Sequence, residues 1–203
     1  MRAALPNTVI SVDTYRAKTA AAALAAGADW VNDIWGFKEN LDIAQVAAEA
    51  SCPVVLMHNG RNRPRLQKDD GAGGYYGYFE YTDLISEIVT ELKQSVEIAL
   101  KAGVAEENLM LDPGIGFGKT APQNLQLLHN LSQIVDIGYP VLLGTSRKGF
   151  IGTYLGGLPV NERVEGTIAT CVHGITQGVQ LLRVHDVKAV ARAARMTDHI
   201  HRL

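Results

Sequence analysis

Cysteine is nearly absent from this chain: Cys52 and Cys171 are the two in 203 residues. Two distant thiols cannot make a disulfide scaffold, so reduced cysteines in a cytoplasmic setting are expected. Charge of one sign is lacking too. Nineteen Lys and Arg against 21 Asp and Glu leave a net charge of −2, which supplies no electrostatic reason to bind nucleic acid. No apolar run approaches the roughly 20 residues that cross a bilayer, and no leader-like apolar stretch follows Met1, so no membrane role is expected. Low-complexity sequence is confined to an alanine-rich helix at 20–26. What remains is 47% hydrophobic and 20% charged, a balance that suits one well-buried domain over residues 1–203.

Apolar runs too short for buried helices alternate with stretches of helical period. Val9-Ile-Ser-Val-Asp13 reads as a strand, and Thr14 is placed to cap a helix over Lys18 to Ala26 that stops at Gly27. Trp30-Val-Asn-Asp-Ile34 and Pro53-Val-Val-Leu-Met-His58 are the next strands, separated by a helix carrying Leu41, Ile43, Ala44, Val46, Ala47 and Ala50. The segment 60–81 then breaks the rhythm. Its three arginines, one lysine, paired aspartates and Gly-Ala-Gly-Gly-Tyr-Tyr-Gly-Tyr predict an unusually long surface loop. Leu84, Ile85, Ile88, Val89, Leu92, Val96 and Leu100 mark an amphipathic helix that ends at Gly103. The strands Leu109–Asp112, Pro140–Gly144 and Val179–Asp186 follow, each succeeded by helical spacing. Strict βα alternation means a parallel sheet. Polar residues repeatedly close the strands, so they would gather at one mouth, as in barrels and open α/β sheets. The fold class is therefore α/β of the (β/α)8 TIM-barrel type, with six βα units in this chain and the barrel incomplete.

Leu109-Met-Leu-Asp112-Pro-Gly-Ile-Gly-Phe-Gly-Lys119 organises the rest. A buried strand ends on a carboxylate, and Pro113 with three alternating glycines opens it into a loop whose backbone can approach a flat or anionic ligand. An isolated Asp-Pro-Gly more often braces its own turn. Gly118-Lys119-Thr120 resembles the end of a phosphate-cradling loop, but Pro113 stands where the first glycine of that motif belongs. Thr120-Ala-Pro-Gln123 reads as a capping box, so the helix starts after Gly-Lys-Thr. A nucleotide-triphosphatase is rejected on both counts.

Asp13, Asn32, Asp112, Lys148, Arg183 and His185 fall at strand ends. A carboxylate and an amide suit a heterocycle with adjacent N–H donors, such as a 2-amino-4-oxo pterin or a guanine, because a carboxylate accepts two parallel hydrogen bonds. Asp112 and Asn32 are assigned that part. Arg183 and His185 are two apart on one strand and share a face, while Ser146-Arg147-Lys148 precedes a helix start; together they describe an anion site.

Val-Asp13-Thr, Asn32-Asp33-Ile, Leu-Met57-His58-Asn, Leu-Asp112-Pro-Gly-Ile-Gly-Phe117-Gly-Lys, Gly144-Thr-Ser146-Arg-Lys148 and Arg183-Val-His185-Asp-Val, in this order, resemble the motifs of dihydropteroate synthase. The resemblance covers essentially the whole chain. It implies a (β/α)8 barrel that condenses 6-hydroxymethyl-7,8-dihydropterin diphosphate with 4-aminobenzoate in folate synthesis, releases diphosphate with Mg²⁺ assistance, works as a homodimer and is the sulfonamide target. Asp112 and Asn32 would grip the pterin edge, Asp13 its ring and the developing charge at the methylene, and Lys148 its oxo side. Arg183 and His185 would hold diphosphate, and Phe117 and Ser146 would line the aminobenzoate pocket. Met57 and Gly144 join the substrate-binding set through their motifs. Asp13, Lys148, Arg183 and His185 are the expected catalytic group. The same resemblance implies two further βα units before the Val9–Asp13 strand, with a metal-contacting asparagine loop and a Gly-x-Glu-Ser-Thr-Arg-Pro loop. No metal ligand is therefore expected among the residues present. Two alternatives are a methyltetrahydrofolate-type pterin barrel, which has no need of the anion groups, and a non-catalytic pterin-binding module.

Overall fold

The computed structural model describes residues 1–60 and 78–201, together with the backbone of Arg65–Leu66. Its elements follow the expected alternation. They are β1 (Ser11–Asp13), α1 (Ala17–Ala25), β2 (Trp30–Asp33), α2 (Asp42–Glu49), β3 (Val54–Met57), β4 (Arg65–Leu66), β5 (Tyr78–Phe79) and α3 (Leu84–Lys101). The second half adds β6 (Leu109–Asp112), α4 (Ala121–His129), α5 (Leu131–Val135), β7 (Leu142–Leu143), α6 (Gly149–Tyr154), α7 (Val164–Thr176), β8 (Leu181–Leu182) and α8 (Val187–His201). The helix-stop glycines behave alike: Gly27, Gly103 and Gly178 have φ of 95°, 94° and 94°, a region open to a residue without a Cβ.

The chain divides into two compact units, Met1–Asn59 with Ile88–Asp112, and Gly60–Glu87 with Pro113–Leu203. In the first, four strands form one parallel sheet in the order β1-β2-β3-β6. Val31, Val54, Leu56, Leu109 and Leu111 are fully buried, as are Ala20 of α1, Ile43 and Ala47 of α2, and Ile88, Leu92 and Ala99 of α3. These fully buried aliphatic positions recur at period two in the strands and three to four in the helices, so each helix buries one face, while β3 and β6 are buried on both. At the amino-terminal end of the strands, Arg2 pairs with Asp29, whose carboxylate also accepts the Ile10 N–H at 2.7 Å. That backbone bond, helped by Arg2, holds the Asp29 carboxyl below its ordinary pKa.

In the second unit β7 and β8 pair in parallel and β4 and β5 antiparallel. Its core is Phe79, Ile115, Leu127, Leu131, Ile134, Val141 and Leu143, with Cys171 of α7 and Val190 of α8 buried and α7 packed along α8. Burial raises the pKa of the Cys171 thiol, and of Cys52 in the first unit, which keeps both protonated.

Three expectations need correction. Much of the 60–81 segment (61–64 and 67–77) lies outside the described residues, but Tyr78 and Phe79 are a buried strand, not surface loop. Phe79 donates its N–H to Gly118 O at 3.1 Å and fills the core, a long-range pairing invisible in local composition. Thr14 does not cap α1: the N-cap is Arg16, and Thr14 Oγ1 accepts the Arg16 N–H in a turn before the helix. Lastly, the strands are shorter than the apolar runs, because β7 and β8 each pair over two residues.

Candidate functional site

The register of the first unit's sheet sorts its strand-end residues by face. Asp13 pairs with Asn32, Asn32 with Val55, Val55 with Met110, and Met57 with Asp112. Paired residues share a face and alternate ones along a strand do too, so Asp13, Asn32, Met57 and Asp112 lie together on one side. Asp33 falls on the other side. Its buried carboxylate accepts the N–H groups of Trp35 and Phe37, each at 2.9 Å, and braces the loop after β2. Burial pushes the Asp33 carboxyl above its usual range, and these two bonds oppose the shift. Of the adjacent Asn32 and Asp33, only Asn32 faces the site.

Asn32 donates from Nδ2 to Asp13 Oδ1 at 2.8 Å, which fixes the amide orientation and leaves Oδ1 buried without a protein partner. A neutral acceptor beside a carboxylate is thereby presented to a ligand with N–H groups. Asp112 is 6% exposed at the end of β6, and its carbonyl accepts the His58 N–H at 2.8 Å, extending the ladder one step past Met57. The His58 ring is fully buried on the opposite face, with Nε2 3.2 Å from Glu91 Oε2, and Lys38 Nζ lies 3.7 Å from the same oxygen. This buried polar cluster, anchoring the end of β3 to α3, was not foreseen in the sequence.

The second unit holds the remaining residues. Its glycine loop is closed by its own lysine: Lys119, 3% exposed, donates from Nζ to the carbonyls of Gly114 at 2.9 Å and Phe117 at 3.1 Å. A cation engaged this way braces a loop and is not the phosphate-gripping lysine of a P-loop. Asn124 adds a second brace by accepting the Gly116 N–H at 2.7 Å, and the Thr120–Gln123 capping box starts α4 as expected. The braced loop presents the Phe117 ring, with Lys148 Nζ 4.1 Å from its centroid, a cation–π contact between two of the expected site residues.

Ser146 and His185 also meet. Ser146 Oγ lies 2.8 Å from His185 Nδ1 and accepts the His185 N–H at 3.1 Å, so the serine hydroxyl is engaged with the histidine. Gly144 lies between β7 and this serine, and the Arg183 N–H continues the β7–β8 ladder to Leu143 O at 3.0 Å. Arg183 and His185 are exposed, as an anion site open to solvent requires. The helix-dipole part of the expectation weakens, since α6 has six residues and aligns few peptide dipoles. Charge at this end comes from side chains.

Between Ser146 and Lys148, Arg147 sits at φ 57°, an uncommon region for a residue with a Cβ. Three contacts hold it there. Its guanidinium forks onto Asp186 at 2.7 and 3.0 Å, its N–H binds Thr167 Oγ1, and its carbonyl accepts from Arg163. This clip fastens the Ser146–Lys148 turn to the His185–Asp186 turn. The sequence signal was the acid directly after His185. Hydrogen bonding to Arg147 holds the Asp186 carboxyl below its ordinary value. Stability from a depressed carboxyl is complete above the unfolded pKa and disappears as pH falls through the lower folded value. The midpoint of thermal unfolding should therefore drop below about pH 4 and drop less steeply in Asp186→Asn. Parallel slopes for the two proteins would remove the clip from the argument.

Among the described residues, no group of three or more His, Cys, Asp or Glu is placed to hold a metal ion, and no helix is long and apolar enough to cross a membrane. A family model described as pterin binding enzyme matches residues 1–185. A dihydropteroate synthase of Clostridium beijerinckii is 50% identical over 194 residues, covering 95% of this chain and 66% of the relative. Another, of Bacillus subtilis, is 49% identical over 189 residues, covering 93% and 60%. The chain thus spans less than two thirds of the length of these curated relatives. A solved Xanthomonas albilineans dihydropteroate synthase in complex with 7,8-dihydropteroate superposes with a TM-score of 0.84 at 33% identity, over 96% of this chain and 68% of that one.

Proposed function

The chain belongs to the pterin binding enzyme family, on its dihydropteroate synthase branch, and from that footing we propose that it takes part in joining 6-hydroxymethyl-7,8-dihydropterin diphosphate to 4-aminobenzoate, with release of diphosphate. The observation that carries the reading is the register that sets Asp13, Asn32, Met57 and Asp112 on one face of one parallel sheet. Asp112 accepts the pterin's amino and ring N–H groups, and Asn32 Oδ1 accepts a further N–H. Asp13, held by the Asn32 amide, faces the carbon that becomes electron-poor as diphosphate leaves, and stabilises that charge electrostatically. Lys148 takes the oxo side, Arg183 and His185 the diphosphate, and Phe117 flanks the arylamine. The amine's own lone pair forms the new C–N bond as the C–O bond breaks, so no covalent enzyme intermediate is needed.

The described residues do not fit a resident Mg²⁺ site, because the diphosphate end offers Lys148, Arg183 and His185 and no gathered carboxylates. Magnesium would enter with the substrate diphosphate, whose charge it would help to neutralise. A cytoplasmic location, a homodimer and competition by sulfonamides at the aminobenzoate site are parts of the same proposal. For the dimer, α8 leaves Val187, Met196 and Ile200 exposed.

The test is calorimetric titration with dihydropterin diphosphate, followed by a coupled diphosphate-release assay on adding 4-aminobenzoate. Arg183→Ala should weaken capture of the diphosphate substrate about 10- to 150-fold, the loss of a charge-assisted contact, while a neutral hydroxymethylpterin binds within about threefold of the parent. Because Arg183 is exposed, added salt should weaken the same capture. Equal losses for both ligands would remove Arg183 from the anion site, and absence of pterin binding by the parent would overturn the function.

A further inference from the structure

Asn59 follows His58 in the stretch Leu-Met57-His58-Asn59, and nothing so far gives it a task. It is fully buried, and both Oδ1 and Nδ2 lack a hydrogen-bond partner. A buried carboxamide left in this state costs stability, because it has given up water and received nothing in return. An unsatisfied group of this kind in a native fold calls for a physical reason.

Its position supplies one. His58 continues the ladder to Asp112 and turns its ring to the α3 side, toward Glu91. The strand alternation therefore persists through residue 58, and residue 59 returns to the face of Met57 and Asp112. Continued by that alternation, it would stand one layer beyond Met57, the residue paired with Asp112. Asn32 Oδ1, the other unsatisfied carboxamide atom among the described residues, is on the same face. The unsatisfied carboxamide atoms among the described residues thus collect on the ligand face of the sheet.

We propose that Asn59 is a specificity-determining contact for the heterocycle. Its carboxamide presents a donor and an acceptor side by side to a ring edge that pairs an acceptor with a donor, next to the amino and N–H edge taken by Asp112. The ligand class is a flat, fused lactam heterocycle, so the inference rests on the proposed function and adds a contact to it. It also carries an unusual signature: removing the side chain's polarity helps the empty protein and harms the complex.

The experiment uses the full chain, 6-hydroxymethyl-7,8-dihydropterin as the probe, and Asn59→Leu, which keeps the branched outline of the side chain, removes its polar atoms and adds some bulk. Expected is an affinity at least about tenfold lower by calorimetry, the loss of one buried hydrogen bond, with a thermal midpoint equal to or above the parent's. If Asn59→Leu does not fold, Asn59→Asp, which keeps the shape and removes both N–H donors, is read by the same change in affinity. Parent-like affinity in the folded variant overturns the role of Asn59 while leaving the functional reading in place. A parent that binds no pterin overturns the functional reading and this inference together.

Discussion

Asp112→Asn is expected to abolish useful pterin binding while leaving the thermal midpoint close to the parent's. The parent carboxylate is an acceptor at both oxygens, and a 2-amino-4-oxo ring presents two N–H groups in parallel, so both bonds form at once and one partner is charged. Asparagine keeps the shape but turns an NH₂ toward a donor. One bond is lost, two donors are opposed, and the remaining bond loses its charge assistance. For a group 6% exposed at the end of a buried strand, such a mismatch costs about 2–5 kcal/mol, roughly 30- to several thousand-fold in affinity. The fold should tolerate the change because β6 is held through its backbone ladder to β3 and by Leu109 and Leu111 on the opposite face. Calorimetry with a pterin analogue decides the matter. Unchanged affinity would show that Asp112 braces its own turn, the commoner fate of an Asp-Pro-Gly.

Much of this arrangement is legible in the sequence. The stop glycines, the alternation of short apolar runs with helical periods and the acid that ends Leu109–Asp112 are local signals, written in residues that are neighbours in the chain. The second face of β2 was not legible. Asn32 and Asp33 look equivalent as a dipeptide, and only the pairing of Asn32 with Asp13 and Val55 separates the ligand-facing amide from the carboxylate that caps its own loop. Lys119 is the converse case: its neighbours suggest phosphate, Pro113 and the capping box argue against it, and its ammonium group is bound to two carbonyls of its own loop. Tyr78 and Phe79 were read with the glycine-rich stretch before them, yet they form a core strand that pairs with β4 and is tied by the Phe79 N–H to Gly118 O, 39 positions on. Contacts at such separations leave no periodic trace. The unsatisfied amide of Asn59 shares that invisibility, whereas the Arg147–Asp186 clip left one local signal, the acid directly after His185.

Gly116 and Gly118 stand two apart in one loop, at φ 80° and 62°, and alanine at each should fail for a different reason. A Cβ on Gly118 would fall on the edge of the Phe79 ring, at Cδ2 and Cε2. That ring is 2% exposed in a packed core and cannot swing aside, so the loop or β5 must move. Overpacking of about 1–3 kcal/mol then adds to the cost of roughly 1–2 kcal/mol for a left-handed residue with a side chain. Gly118→Ala should therefore lose about 2–5 kcal/mol in stability. A Cβ on Gly116 would instead lie 2.7 Å from Lys148 Cδ and 3.3 Å from its Nζ. A lysine stem can rotate away, so the clash is relieved at small cost to the fold, but the ammonium then leaves the face of Phe117. Gly116→Ala should lose only the backbone share of stability, about 1–2 kcal/mol, and lose substrate affinity well beyond that. Urea unfolding measured alongside calorimetric titration separates the two, with Gly118→Ala moving mainly the first and Gly116→Ala mainly the second. Equal stability losses in both variants, with the affinity of Gly116→Ala intact, would show that Lys148 does not depend on its seat over Phe117 to act.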